Sequence, residues 1–189
     1  MKSLFLRSLA IFMFLAFSGA AFAQANAEFP GLDKSPADIL LLRNERGAPP
    51  LAKVVYGRPS LKGRPVFSDA EGSLAPLGEI WRTGANEATE VTFYKDVKVS
   101  GKDLKAGTYV LHSIPGKNEW TIILNSKLNV WGAYEYDESK DVLRVNVPSS
   151  TGASSVEVFS MNFKPGASKG TVHLVMGWGT TRVELPLTF

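Results

Sequence analysis

The chain has 189 residues, 44% of them hydrophobic and 21% charged, with no cysteine and a net charge of +3. The lack of cysteine excludes a disulfide framework, a thiol nucleophile and a thiolate metal site, while the length suits one domain able to bury a substantial core. So small a net charge, part of it carried by Lys2 and Arg7, exerts little long-range pull on nucleic acid, and no nucleic-acid partner is expected.

The first predicted element is an export signal. Lys2 and Arg7 precede an apolar run at 9–17, and Ala21-Phe22-Ala23 has the small-x-small spacing that signal peptidase reads. The run is too short to span a bilayer, which takes roughly 20 apolar residues. Residues 1–23 are therefore expected to be a Sec-type signal peptide cut after Ala23, with Ala25-Asn26-Ala27 offering a second cut site. The mature protein would be periplasmic or secreted, with no membrane span. Residues 24–50 then form an N-terminal arm and loop, and residues 51–189 the folded domain. Within the arm, "PADILLL" (36–42) fits either a short helix or a strand. "RNERGAPP" (43–50) is a loop, because its Gly and paired Pro break both periods.

From Leu51 onward the hydrophobic period is 2. "AKVVY" is a strand ending at Gly57, and "TEVTFYK" (89–95) is another, with Val91 and Phe93 on one face. The stretch 96–114 predicts a strand, a turn at Ser100-Gly101-Lys102, and a strand from 108 that ends at Pro115-Gly116. "EWTIILN" (119–125) carries Trp120, Ile122 and Leu124 on one side and Ile123 on the other, as a central strand covered on both faces would. "DVLRVNV" (141–147) and "SVEVFSMNF" (155–163) read as two further strands. "TVHLVMGW" and "TRVELPLTF" read as a terminal hairpin turning at 177–180. Val, Ile, Thr and aromatic residues dominate these runs. The prediction is an all-β domain, a single antiparallel β-sandwich of jelly-roll-like form with about eight or nine strands.

Four segments, "YGRPSLKGRPVF" (56–67), "PLGEIWRTGANEATEVTF" (76–93), the run 96–125 and "WGAYEYDESKDVLRVNV" (131–147), resemble the secreted bacterial family known as domain of unknown function 2911. The pairing of Arg-Pro-(x)2-Lys-Gly-Arg with Trp-Arg-(x)-Gly-Ala-Asn-Glu-Ala-Thr carries the resemblance. It implies an exported, mostly β domain and no established activity.

Function must therefore be read from the residues. Arg58, Lys62 and Arg64 lie in a loop stiffened by Pro59 and Pro65, where cations can grip a carboxylate, sulfate, phosphate or uronic acid or pair with acidic neighbours. In "WRTGANEAT" (81–89), Trp81 offers an apolar wall and Arg82, Asn86 and Glu87 offer planar polar groups, as a sugar site requires. The same residues suit an ordered corner in which Arg82 pairs with Glu87. The loop 129–141 adds Trp131, Tyr134 and Tyr136 beside acidic residues, a mixture suited to extending a sugar site or holding calcium, although the acidic spacing does not follow a calcium-binding loop. His112 and His173, with a carboxylate, are of the right type for zinc, but nothing in the spacing brings them together, and neither a metal nor a cofactor is expected. No nucleophile elbow, P-loop or dinucleotide fingerprint occurs.

The reading that absorbs most of these features is a non-catalytic binding module for a small polar ligand or glycan, built on Arg58, Lys62, Arg64, Trp81, Arg82, Asn86 and Glu87. One alternative is a hydrolase of glycans or similar envelope substrates with Glu87 as general acid or base. The other is a structural interaction domain of the envelope.

Overall fold

The computed structural model describes Phe29 and residues 31–189, so the expected signal peptide lies outside the described residues. The chain divides at Asp33, and the fold is carried by Lys34–Phe189. It is all-β, with nine strands: β1 (Ala37–Leu42), β2 (Ala52–Gly57), β3 (Glu90–Phe93), β4 (Val97–Val99), β5 (Lys102–Leu104), β6 (Gly107–Ile114), β7 (Glu119–Asn125), β8 (Asp141–Pro165) and β9 (Thr171–Thr188). Every pairing is antiparallel, in the order β1-β2-β3-β6-β7-β8-β9-β4-β5. A single 3₁₀ turn, Glu138–Lys140, precedes β8. Among the described residues no helix is long and apolar enough to cross a membrane.

The period-2 segments became strands for the expected reason. In β3, Val91 and Phe93 are buried while Glu90 and Thr92 are partly exposed. In β7, both Ile122 and Ile123 are fully buried, as a strand covered on both faces requires. The ambiguous segment 36–42 is an edge strand whose residues pair with β2 from Ala37↔Gly57 to Leu42↔Ala52, so the sheet begins ahead of Leu51. The turn at Ser100-Gly101 closes β4 on β5 with both residues in the left-handed region, φ 47° and 81°, which matches the twist of a tight hairpin.

Two predictions are corrected. Segments 141–147 and 155–163 belong to one 25-residue strand, β8, which pairs with β7 as far as Pro148 and with β9 from Ser149 onward. Likewise 171–188 is one strand, β9, and the expected terminal hairpin at 177–180 does not exist. The Gly, Ser and Thr residues read as turn chemistry instead make bulges: the β8–β9 register shifts between Thr151 and Val156 and again between Val156 and Ser160. Arg182 fills the irregularity. Its guanidinium donates to the carbonyls of Gly179 (3.0 Å), Thr181 (2.9 Å) and Ser154 (2.7 Å), beside the register shifts. Gly152 and Gly177 are small because a Cβ at either would lie 2.9 Å or 3.2 Å from that arginine.

The sandwich is one sheet folded over along β8. Residues distant in strand order meet face to face: the Tyr56 hydroxyl of β2 accepts from the Met161 amide of β8 at 3.0 Å, and its ring packs edge-on against Phe159 at 5.8 Å. The core between the layers holds Phe93, Leu111, Trp120, Ile122, Phe159, Leu174, Met176, Trp178 and Leu185. Its centre is aromatic. Trp81 stacks on Trp178 (5.8 Å, 16°) and meets Phe67, Phe159 and Trp120 edge-on at 5.4, 5.1 and 6.0 Å. Such pairs add roughly 0.5–1.5 kcal/mol each beyond burial.

Candidate functional site

The segment 81–89 seats itself on the sheet through its backbone. Trp81 exchanges both main-chain hydrogen bonds with Ser113 of β6, at 2.8 and 2.9 Å. Thr83 is buried in the left-handed region, φ 52°, and its hydroxyl bonds that of Ser113 at 2.9 Å. The Thr83 carbonyl accepts from the Thr89 hydroxyl at 2.7 Å, and the Thr89 amide returns to the Arg82 carbonyl at 3.1 Å. The loop passes so close to β2 that a Cβ at Gly57 would lie 2.1 Å from the Ala85 carbonyl oxygen. Asn86 adopts φ 61°, and its carbonyl accepts from Gly132 at 3.0 Å, which ties this loop to the aromatic loop before β8. The backbone is tied to the sheet at Trp81 and Thr89 and to the aromatic loop at Asn86 and Ala88, which fixes both ends of the segment and its middle.

Above the Trp81–Trp178 stack lies a cleft of about 590 Å³. Its polar lining comes from three loops and the segment ahead of β1: Arg64 from the basic segment, Glu79, Arg82 and Asn86 around Trp81, Tyr134 from the aromatic loop, and Ser35. Of the predicted site residues, Arg64, Trp81, Arg82 and Asn86 are brought together here. Tyr134, read from sequence as a possible extension of a sugar site, joins them, whereas Glu79 and Trp178 were not foreseen. Trp178 was assigned to a turn, and nothing around Glu79 in the sequence distinguishes it from other acids.

Three predicted residues stand elsewhere. Arg58 is used structurally: its guanidinium donates to Asp38 of β1 (3.0 Å), the Ser160 hydroxyl (2.8 Å) and the Phe159 carbonyl (3.2 Å), joining the sheet edge to β8. Lys62 is exposed in the left-handed region, φ 49°, and its amide donates to Glu157 at 2.8 Å, so the residue serves the loop rather than the cleft. Glu87 is exposed and is not among the residues lining the cleft; its backbone forms a bridge with Trp131. The acid assigned to hydrolysis is therefore not at the cleft, and Glu79 is the carboxylate that lines it.

The corner reading predicted an Arg82–Glu87 ion pair, and none forms. The Arg82 guanidinium has neither a carboxylate nor a carbonyl partner among the described residues, and its Nε is buried without an acceptor. It lies beside Gly132, whose φ of 67° and missing side chain make room: a Cβ there would sit 3.3 Å from Arg82 Nη1 and 2.7 Å from the Tyr134 ring. Arg82 and Tyr134 thus flank one glycine at the mouth of the cleft. Arg64 is more committed, with Nε and Nη2 donating to the carbonyls of Leu61 (3.0 Å) and Ser60 (2.9 Å).

The histidines are separate features. His112 of β6 is buried, with its Nδ1 lacking a partner and its ring edge-on to Tyr136 at 5.3 Å. Burial holds its pKa below the usual 6.5, against the opposing pull of the Trp81 carbonyl and the Asp141 charge. Tyr136 donates to Asp141 at 2.6 Å, and burial followed by that carboxylate pushes its pKa well above the ordinary phenol value. His173 of β9 bonds Glu184 at 2.7 Å, and Lys164 with His173 holds the Glu184 carboxyl below its ordinary range. No three acidic or histidine side chains converge on a point among the described residues.

A search of the curated proteins and a search of the solved structures each returned no match. A family model described as protein of unknown function (DUF2911) matches residues 46–187, which takes in every residue lining the cleft except Ser35. The chain, with the basic loop, the pinned tryptophan segment and the aromatic loop all inside the matched span, belongs to the DUF2911 family.

Proposed function

We propose that this domain is a non-catalytic binding module that holds a small polar ligand or glycan in the cleft around Arg82, and that it works in the periplasm or outside the cell. One observation carries the ligand reading: the Arg82 side chain lines the cleft with a buried Nε–H and no acceptor among the described residues. An unmatched buried donor costs about 1–3 kcal/mol, so the position is poor for stability, while the part-exposed remainder of the side chain lines the cleft, where an acceptor can reach it. A stack of tryptophans beneath it, an amide and a carboxylate beside it, and a tyrosine at the mouth complete the mixture of apolar wall and few polar groups typical of small-molecule clefts. The setting rests on the export signal read at residues 1–23.

The test compares two arginines. With no ligand present, Arg82→Met is expected to leave the melting temperature unchanged or raise it, since it removes an unmatched donor. Arg58→Met, which breaks three bonds, is expected to lose about 1–2 kcal/mol. In a thermal-shift panel of sugars, sugar acids and amino acids, a true ligand at about 100-fold over its Kd stabilises wild type by roughly 2.7 kcal/mol. That ligand leaves Arg82→Met unmoved. A loss of stability in Arg82→Met as large as in Arg58→Met would show the residue to be structural and end this reading.

A further inference from the structure

Resting on the reading that the cleft binds a ligand, we infer that the ligand is an acidic saccharide, held through a single sugar carboxylate by the Arg82 guanidinium, with the sugar ring laid against the aromatic loop. The charge comes first. Two cations and one carboxylate line the cleft, Arg64, Arg82 and Glu79, so it carries one uncompensated positive charge. Arg64 already donates to two loop carbonyls, which leaves the Arg82 fork as the cation without an acceptor. A planar fork with open donors matches the two oxygens of a carboxylate in one bidentate pair. A single excess charge balances a monoanion, whereas a dianionic phosphate would leave the site net negative.

The rest of the lining favours a sugar over a simple acid. Tyr134 is 81% exposed and Trp131, on the same loop, is 58% exposed. Large aromatic faces left open beside a polar cleft offer apolar area to the C–H face of a pyranose, while Asn86 and Glu79 present groups suited to its hydroxyl edge. Gly132 holds this arrangement, since any side chain there would displace the Tyr134 ring and the guanidinium together. A free amino acid would use the fork and Glu79 but would leave the exposed aromatics without a role.

Isothermal titration calorimetry with the purified protein separates these possibilities. The probes are glucuronate, galacturonate and their short oligomers, the neutral hexoses glucose and galactose, acetate, and a set of free amino acids. The expected result is binding of acid sugars, with the neutral hexoses and acetate each weaker by at least an order of magnitude. Arg82→Lys should weaken the acid sugars roughly 10- to 100-fold, the loss of charge-assisted bonds a point charge cannot replace, and Tyr134→Ala should remove the preference for acid sugar over acetate. Neutral hexoses binding as tightly as acid ones, with Arg82→Lys indifferent, would overturn the carboxylate assignment while leaving a saccharide site. Amino acids binding in place of acid sugars would overturn the saccharide assignment while leaving a ligand site. No heat from any probe would overturn this inference, and if Arg82→Met is also destabilising, the binding reading falls with it.

Discussion

Arg58 and Arg82 are the same side chain in opposite circumstances. One has three protein acceptors and the other has none among the described residues, yet the sequence around both is equally loop-like and polar. Sequence placed both in a candidate site because residue type and loop context were all it offered. The partners that separate them, Asp38 and Ser160, lie 20 and 102 positions away. His112 shows a third circumstance, a titratable ring buried with an empty nitrogen. The unfolded chain takes up a proton near pH 6.5, whereas the folded one, its pKa lowered mainly by burial, resists protonation until lower pH. The stability His112 permits is therefore full above about pH 6.5 and is lost progressively as the pH falls through that value. His112→Phe is expected to flatten the decline between about pH 7 and pH 5, measured by urea unfolding at each pH. Parallel declines in the two proteins would refute this account of His112.

At the scale of elements, the strands with plain alternation were legible: β2, β3, β6 and β7 stand where the period put them. The long strands β8 and β9 were not. Gly, Ser and Thr signal a turn and a bulge equally well, and only the partner strand decides between them. Here Phe159 and Leu61 exchange main-chain bonds across to Pro59 and Glu157, at 2.9 Å each, so a stretch of β8 pairs with the basic loop instead of β9. That switch of partner places the loop of Arg64 beside the cleft. The seat of the tryptophan segment is likewise an element-level fact, resting on Gly57. Gly57→Ala must push the Ala85 carbonyl away and is expected to cost about 1–3 kcal/mol or more. Hydrogen exchange at the Thr89 and Leu111 amides, which bond across this seat, should quicken in the same variant. Unchanged protection at both would show that the loop adapts without leaving the sheet.

Over the whole molecule, one continuous antiparallel ladder is folded until its two halves share a core, and the cleft opens where three loops cross that core's aromatic centre. Sequence could forecast an all-β layer structure from composition and period. It could not forecast the fold line within a single strand, because curvature depends on how bulges, Arg182 and two glycines fit one another across β8 and β9. Placing the site needed that curvature, since it brings Trp178 of β9 beneath Trp81 of a loop that precedes β3. The four tryptophans consequently differ as optical probes. Two indoles stacked 5.8 Å apart at 16°, one on a strand and one on a loop, form a coupled chromophore that exists only while loop and sheet are joined. Their coupling should give a near-ultraviolet circular dichroism band that vanishes in Trp81→Phe and Trp178→Phe alike but survives Trp131→Phe. Trp131, open to water on the aromatic loop, should supply a red-shifted emission of its own, so one unlabelled sample is expected to register the joining of loop to sheet and a ligand settling on the aromatic loop at two separate wavelengths.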